Sequence, residues 1–220
     1  MLNGFEIKDR VAPSVEGIKA LAGLPTSIVC DVTGRMVGAE GLYPVNRSSV
    51  SACGNAVTVK VRSGDNLMLH LALRMLQPGD VLVVDAEGDL SRALFGEIMM
   101  SVAKSKGAVA AVINGAIRDV DAFEEAKFPC WAKGVNLRGP YKEGPGSLNV
   151  PVTVGGMLIN PGDIVLGDSD GIVAFSPEQA LEIAKLGKEK VAQEQATLKS
   201  IQDGTYNDSW IDAVLKQKGC

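Results

Sequence analysis

Across 220 residues the chain has one histidine, three tyrosines, two tryptophans and only four cysteines. Cys30, Cys53, Cys130 and Cys220 are far apart and form no CxxC pair. A disulfide framework would be denser, so they read as reduced thiols. With one histidine and no paired cysteines, a zinc site has no ligand set. Positive charge is also missing: 22 Lys and Arg stand against 26 Asp and Glu, a net charge of −4. That balance gives no reason to expect nucleic acid as a partner. No apolar run approaches the ~20 residues that span a bilayer, and MLNGFEIKDR lacks the basic-then-apolar pattern of a signal peptide. A cytoplasmic protein with no membrane partner is expected.

What is present is ordinary globular sequence, 46% hydrophobic and 22% charged, long enough to bury a proper core. Helical spacing of Val15, Ile18 and Leu21 predicts a helix over 14–22, and Pro25-Thr26 opens a second with Asp31 inside it. Residues 56–61 alternate as a strand. Asp65 then caps a helix over 66–76, and Pro78-Gly79-Asp80 turns into a buried strand over 81–84. Residues 134–149 read as a glycine-rich functional loop. From 150 to 175 short strands and turns alternate, and Pro177 starts a long amphipathic helix to about Ile201, followed by a short helix over 209–217. One echo, PGDVLVVDAEGD against PGDIVLGDSDGI, reads as a shared turn into a strand. The expected organisation is a single α/β domain over 1–176 with a helical extension over 177–220.

The densest chemistry lies in FGEIMMSVAKSKGAVAAVINGAIRDVDAF, residues 95–123. Gly96-Glu97 opens one helix, an apolar strand over 108–113 follows, Asn114-Gly115 signals a tight turn, and Arg118-Asp119 opens another helix. Helix N-termini offer unpaired N–H groups to anions, and a guanidinium beside carboxylates suits a small anion with a hard cation. Against this, Glu97 could merely compensate a helix dipole, and Asp119 could merely cap. Asp121 and Glu124 form a second candidate capping box, which would free Asp119.

The frame G-E-x(20)-R-D resembles the signature of the 4-hydroxy-4-methyl-2-oxoglutarate aldolase family, which includes the regulator of ribonuclease activity A. The stretches LPTSIVCD, PGDVLVVD, GAVAAVINGAIRD and LNVPVTVGGMLINPGDIVLGDSDGIV are similar to family text in order, from Pro25 to Phe175. The resemblance implies a layered β/β/α swivelling (phosphohistidine-domain-like) fold assembled as a homotrimer or homohexamer. It implies that Asp119 ligates a divalent metal, Mg2+ or Mn2+, with waters, and that Arg118 grips the substrate carboxylate. The backbone N–H groups of Gly96, Glu97, Ile98 and Met99 would bind the same carboxylate, and the Glu97 side chain would hold metal-bound water. Some members carry aspartate at the Glu97 position. The implied chemistry is a class II retro-aldol cleavage of 4-hydroxy-4-methyl-2-oxoglutarate or 4-carboxy-4-hydroxy-2-oxoadipate, a small 2-oxo acid, to release pyruvate. Oxaloacetate decarboxylation would pass through the same enolate.

Two other readings stand beside it. A regulator of an RNA-degrading enzyme would need no metal ligand, whereas this chain keeps Asp119. A Schiff-base aldolase would need a reactive lysine, and Lys60 and Lys133 are the strand candidates. Asp31, Glu189 and Glu194 are further acidic candidates, the last two on the long helix that the resemblance places near a neighbouring subunit's site. Arg138, Tyr141 and Lys142 in the glycine-rich loop are candidates for the far end of the pocket, and His70 reads as a satisfied core histidine.

Overall fold

A computed structural model describes residues 4–220. Four parallel strands form its spine: β3 (Ala52–Val61), β4 (Asp80–Asp85), β6 (Ala110–Ile117) and β7 (Cys130–Val135). β4 and β6 are buried along their whole length, which is why they read as near-continuous apolar runs; parallel strands are covered on both faces. Shorter strands extend the spine into a mixed ten-stranded sheet. They are β1 (Phe5–Ile7), β2 (Tyr43–Pro44), β5 (Ala93–Phe95), β8 (Gly146–Leu148), β11 (Ile164–Gly167) and β12 (Ile172–Phe175). The remaining pair, β9 (Val152–Val154) and β10 (Met157–Ile159), forms a separate hairpin.

Side-chain alternation sorts the core into two faces. Val57, Val59, Leu82, Val84, Ala111 and Ile113 point to one face. There they meet α3 (Leu67–Met75), α4 (Glu97–Ser105) and α5 (Val120–Glu125) through residues such as Leu69, Met100 and Phe123. Val81, Val83, Val112 and Trp131 point to the other face and pack with Val152, Val154 and Ile159 of the hairpin. A third cluster joins β11 and β12 to α1 (Val15–Leu21), α2 (Thr26–Val32) and the start of α6 (Ala180–Gln202). The α/β expectation is met, with helices and a hairpin on opposite faces of one large mixed sheet.

α6 follows a 3-10 turn at Pro177–Gln179. It buries Ala180, Ile183, Ala184 and Gly187, but from 192 onward nearly every residue is exposed, including all of α7 (Trp210–Gln217). No helix among the described residues is long and apolar enough to cross a membrane.

The Asn114-Gly115 turn does not form: β6 runs straight through to Ile117. Asn114 donates to the buried Asp85 carboxylate (3.2 Å) and stays in the sheet. A Cβ on Gly115 would lie 3.1–3.3 Å from Ala86, Leu94 and the Asp89 carbonyl, so this glycine serves close packing. The local register shift against β7 is the trace left by the pair. The 134–149 loop is also shorter than expected, because β7 takes its first residues and β8 its last.

Candidate active site

β5 ends at Phe95 and α4 begins at Glu97; β6 ends at Ile117 and α5 begins at Val120. β5 pairs parallel with β6, so both strand-to-helix junctions leave the same edge of the sheet. The Arg118 N–H donates to the Phe95 carbonyl (3.0 Å) and joins them directly. Below, the Phe95 and Phe123 rings pack 5.9 Å apart at 50°. Lys104 Nζ on α4 donates to the Ala126 carbonyl after α5 (2.6 Å). The two helix N-termini are thus joined by backbone, with the aromatic pair linking β5 to α5 and Lys104 holding the helices side by side at their C-terminal ends.

Asp119 is one of five described non-glycine residues with positive φ, and the one of them that lines the cleft. It sits at the N-cap of α5 with φ 59° and ψ 44°, in the left-handed region, and makes no capping bond. Aspartate tolerates this region better than most residues, and such geometry clusters at functional sites. Its Oδ2 accepts the Glu97 N–H (3.0 Å) across the junction and lies 3.5 Å from Arg118 Nε. Gly96 makes this approach possible, since a Cβ there would stand 2.5 Å from Asp119 Oδ2 and 3.0 Å from Arg118 Cγ.

The sequence candidates are therefore brought together, with two corrections. Glu97 N–H is engaged by Asp119, so it is not free for a ligand carboxylate. The first intrahelical bond of α4 runs from Met100 N–H to the Gly96 carbonyl, so the Ile98 and Met99 N–H groups precede the ladder. The Asp121–Glu124 capping box is also absent. Asp121 pairs with Arg47 (3.0 Å), and Glu124 accepts the Arg47 and Ser48 N–H groups. The Ser48 hydroxyl, and after it the Ser48 and Arg47 N–H groups, hold the Glu124 carboxyl below its ordinary range.

Gly96, Ile98, Met99, Arg118 and Asp119 line a cleft of about 40 Å³ with Asn66, Leu94 and Pro140. At ~10–15 Å³ per water on this measure, it holds three or four water-sized groups. Larger hollows of about 220–420 Å³ lie elsewhere. The one beside Thr26 and Cys30 faces a helix terminus already occupied, because Asp168 accepts both the N–H and the hydroxyl of Thr26.

Asn66 was not among the sequence candidates. It is 3% exposed, donates to the Leu94 carbonyl (2.9 Å) and contacts Met99 Sδ, while its buried Oδ1 has no partner. A polar Asp65-Asn66 pair ahead of an apolar helix was the available signal, and capping explains only Asp65, which accepts the Leu67 N–H (2.9 Å).

The other candidates fall outside the cleft. Asp31 pairs with Arg35 and Lys190 and is held low mainly by Arg35. Glu194 pairs with Lys190 at 3.5 Å. Lys60 lies 3.5 Å from Glu87, and Lys133 lies against Gly88; neither lines the cleft. His70 is half-buried with Nε2 unpartnered, which corrects the satisfied-histidine reading. Cys53 and Cys130 are not poised as nucleophiles: burial pushes Cys53 up to about 11 and Cys130 higher still.

A divalent cation fits the donor chemistry. Asp119 and Glu97 offer exposed carboxylates, and the described residues hold no cluster of three His, Cys, Asp or Glu. A few carboxylates completed by water suit Mg2+ or Mn2+ and do not suit zinc.

The Aldolase/RraA family, described as RraA-like, matches residues 26–174. A Halalkalibacterium halodurans protein, provisionally named 4-hydroxy-4-methyl-2-oxoglutarate aldolase, is 34% identical over 190 residues, covering 86% of this chain and 90% of its own. Among solved structures, Streptomyces coelicolor RraAS2, titled an unusual member of the RNase ES inhibitor RraA family, superposes with a TM-score of 0.76 at 26% identity. That match covers 86% of this chain and 99% of the other. A Thermus RraA, titled an RNA-processing inhibitor, gives 0.63 at 27% identity over 70% and 92%.

Proposed function

As a chain that belongs to the RraA-like aldolase family, this protein is, we propose, a divalent-metal-dependent lyase that cleaves a 2-oxo acid to release pyruvate. The observation that carries the reading is Asp119. Its left-handed backbone turns the carboxylate away from capping and towards Arg118 and the start of α4.

In this reading Arg118 binds the substrate carboxylate with its planar fork, which suits a carboxylate better than an ammonium would. The Ile98 and Met99 N–H groups, at the positive end of the α4 dipole, face the oxygen on which negative charge develops. Asp119, with Glu97 beside it, would hold Mg2+ or Mn2+ together with waters. When bound, the cation supplies Lewis-acid stabilisation of the enolate charge left by C–C cleavage. Asn66 Oδ1 offers a buried acceptor to a substrate hydroxyl or an ordered water. The substrates proposed are 4-hydroxy-4-methyl-2-oxoglutarate, 4-carboxy-4-hydroxy-2-oxoadipate and oxaloacetate.

The cleft of a single chain is small, about 40 Å³, and the arm after Lys190 is exposed along nearly its whole length. Both features support a homotrimer or homohexamer in which the arm contacts a neighbour and brings Glu194 towards its cleft. The regulator reading draws on the RraA neighbours, but a regulator has no need of a strained aspartate beside an arginine.

The test is pyruvate release from the three acids with Mg2+, with and without EDTA, for the wild type and Asp119→Ala. Release that EDTA and the variant both abolish is expected. Wild-type rates from Asp119→Ala would sink the reading. Borohydride trapping of pyruvate on Lys60 or Lys133 would replace it with a Schiff-base mechanism.

A further inference from the structure

Residues 136–145, between β7 and β8, form a strap whose β-bridge joins Tyr141 to Asp65 and which reaches the cleft at Pro140. Pro140 lines the cleft beside Arg118, and a Cβ built on Gly139 would lie 3.6 Å from Arg118 Nη1. The Arg118 side chain is 44% exposed, and its one recorded ion pair is the 3.5 Å contact with Asp119. Its guanidinium is therefore close to both the Asp119 carboxylate and the strap at Gly139.

Several side chains hold the strap: Asn136 donates to the Leu90 and Ser91 carbonyls and accepts the Arg138 N–H, Arg62 donates to the Gly144 carbonyl, and Arg92 holds the middle. Arg92 Nη1 donates to the Gly139 carbonyl (2.8 Å), Nη2 donates to the Tyr141 hydroxyl (2.8 Å), and the guanidinium carbon stands 4.1 Å from the Tyr141 ring centroid. Arg92 is half-buried and immediately precedes β5. The next residue, Ala93, receives the strap too, donating its N–H to the Arg138 carbonyl (2.8 Å). Further along, the Tyr141 N–H donates to Gly64 and the Glu143 N–H to Asp65 Oδ2 (2.7 Å). Those bonds tie down the far end of the strap. Arg92 serves the part that faces Arg118.

We propose that Arg92 is a positioning residue of this site: it pins the strap against the Arg118 guanidinium, so that the carboxylate clamp is ordered before a ligand arrives. Ordering a long side chain in advance removes an entropic cost from binding. The role needs the fork. A lysine keeps the charge but cannot donate in one plane to both the Gly139 carbonyl and the Tyr141 hydroxyl.

Two measurements test this on the full chain with Arg92→Ala, Arg92→Lys and Tyr141→Phe. The first is amide hydrogen exchange, which does not depend on the proposed reaction. In Arg92→Ala, exchange at Ala93 and Arg138, whose N–H groups bond the Arg138 carbonyl and Asn136 Oδ1, is expected to rise at least tenfold, while Tyr141 and Glu143 and the β3, β4 and β6 ladders keep their protection. Unchanged protection at Ala93 and Arg138 overturns the proposal even if the protein turns over no 2-oxo acid. General loss of protection across the ladders makes Arg92 a fold residue and overturns it as well.

The second measurement rests on the lyase reading and uses oxaloacetate turnover together with oxalate binding in the presence of Mg2+. For Arg92→Ala, KM and the oxalate Kd are expected to rise at least tenfold, with kcat within threefold. Arg92→Lys is expected to behave like Arg92→Ala, and Tyr141→Phe to fall between it and the wild type. Rescue by lysine would assign Arg92 a purely electrostatic effect on an anionic ligand and overturn the clamp, as would unchanged KM and Kd in Arg92→Ala. An inactive wild type counts against the proposed function alone.

Discussion

Gly96 and Asp119 behave as a single unit. The glycine is required because Asp119 Oδ2 occupies the space its side chain would need, and the aspartate reaches that space only through a left-handed backbone. Gly96→Ala should displace the carboxylate, with pyruvate release falling at least about tenfold, or about 1.4 kcal/mol in the barrier. Mn2+ binding followed by electron paramagnetic resonance should weaken in parallel; full activity would separate the pair. His70 carries a second prediction at this scale. Burial, with the Lys142 ammonium second, holds its imidazole below the ordinary range. The fold therefore favours the neutral ring. The stability this contributes is present above the unfolded value of about 6.5 and is lost as pH falls through it towards the folded value. The chain has no other histidine, so the melting temperature should drop between pH 7.5 and 5.5, and the slope should flatten in His70→Leu. Equal slopes would refute the assignment.

Elements here are tied by buried polar side chains as well as by sheet ladders. Asp80 at the start of β4 is fully buried and accepts from Arg10 Nε (3.1 Å) and Nη2, Asn55 Nδ2 and the Gln77 N–H. Arg10→Ala would leave that carboxylate without its cation, which typically costs about 3–5 kcal/mol. Calorimetry should show a fall on the order of 10 °C in a chain of this size, and Asp80→Asn should recover part of it when combined with Arg10→Ala. The Pro-Gly-Asp echo is explained at the same scale. Gly79 and Gly162 both take φ near 90° (88° and 89°), and Asp80 and Asp163 each accept the N–H three residues earlier, that of Gln77 or Asn160. The shared text encodes one turn used twice. Periodicity made helices such as α3 and α4 readable, because each buries one face, while β4 and β6 were readable as continuous apolar runs. Asn114-Gly115 misled because a local turn preference competed with full burial in the centre of a sheet, and burial won.

For the whole molecule, the arm is the open account. Leu198, Ile201, Trp210, Ile211, Val214 and Leu215 are 38–59% exposed, apolar surface that the single chain leaves in water. Light scattering after size exclusion should give a trimer or hexamer for the full chain and a smaller species for Ile211→Asp/Val214→Asp. An unchanged mass in the variant would remove the arm from the assembly. Local pattern by itself pointed to the α/β class, the buried strands and a cluster of Glu97, Arg118 and Asp119, because hydrophobic period and chemical type are written residue by residue. The parallel pairing that brings both junctions to one edge came from the structure. Tertiary structure alone decided that Asp119 takes the Glu97 N–H, that Asn66 beside the cleft keeps a buried acceptor without a partner, and that Arg92 bonds Gly139 and Tyr141 near Arg118. Each of these depends on how distant segments pack across a sheet edge, and neither spacing nor composition records where two such segments meet.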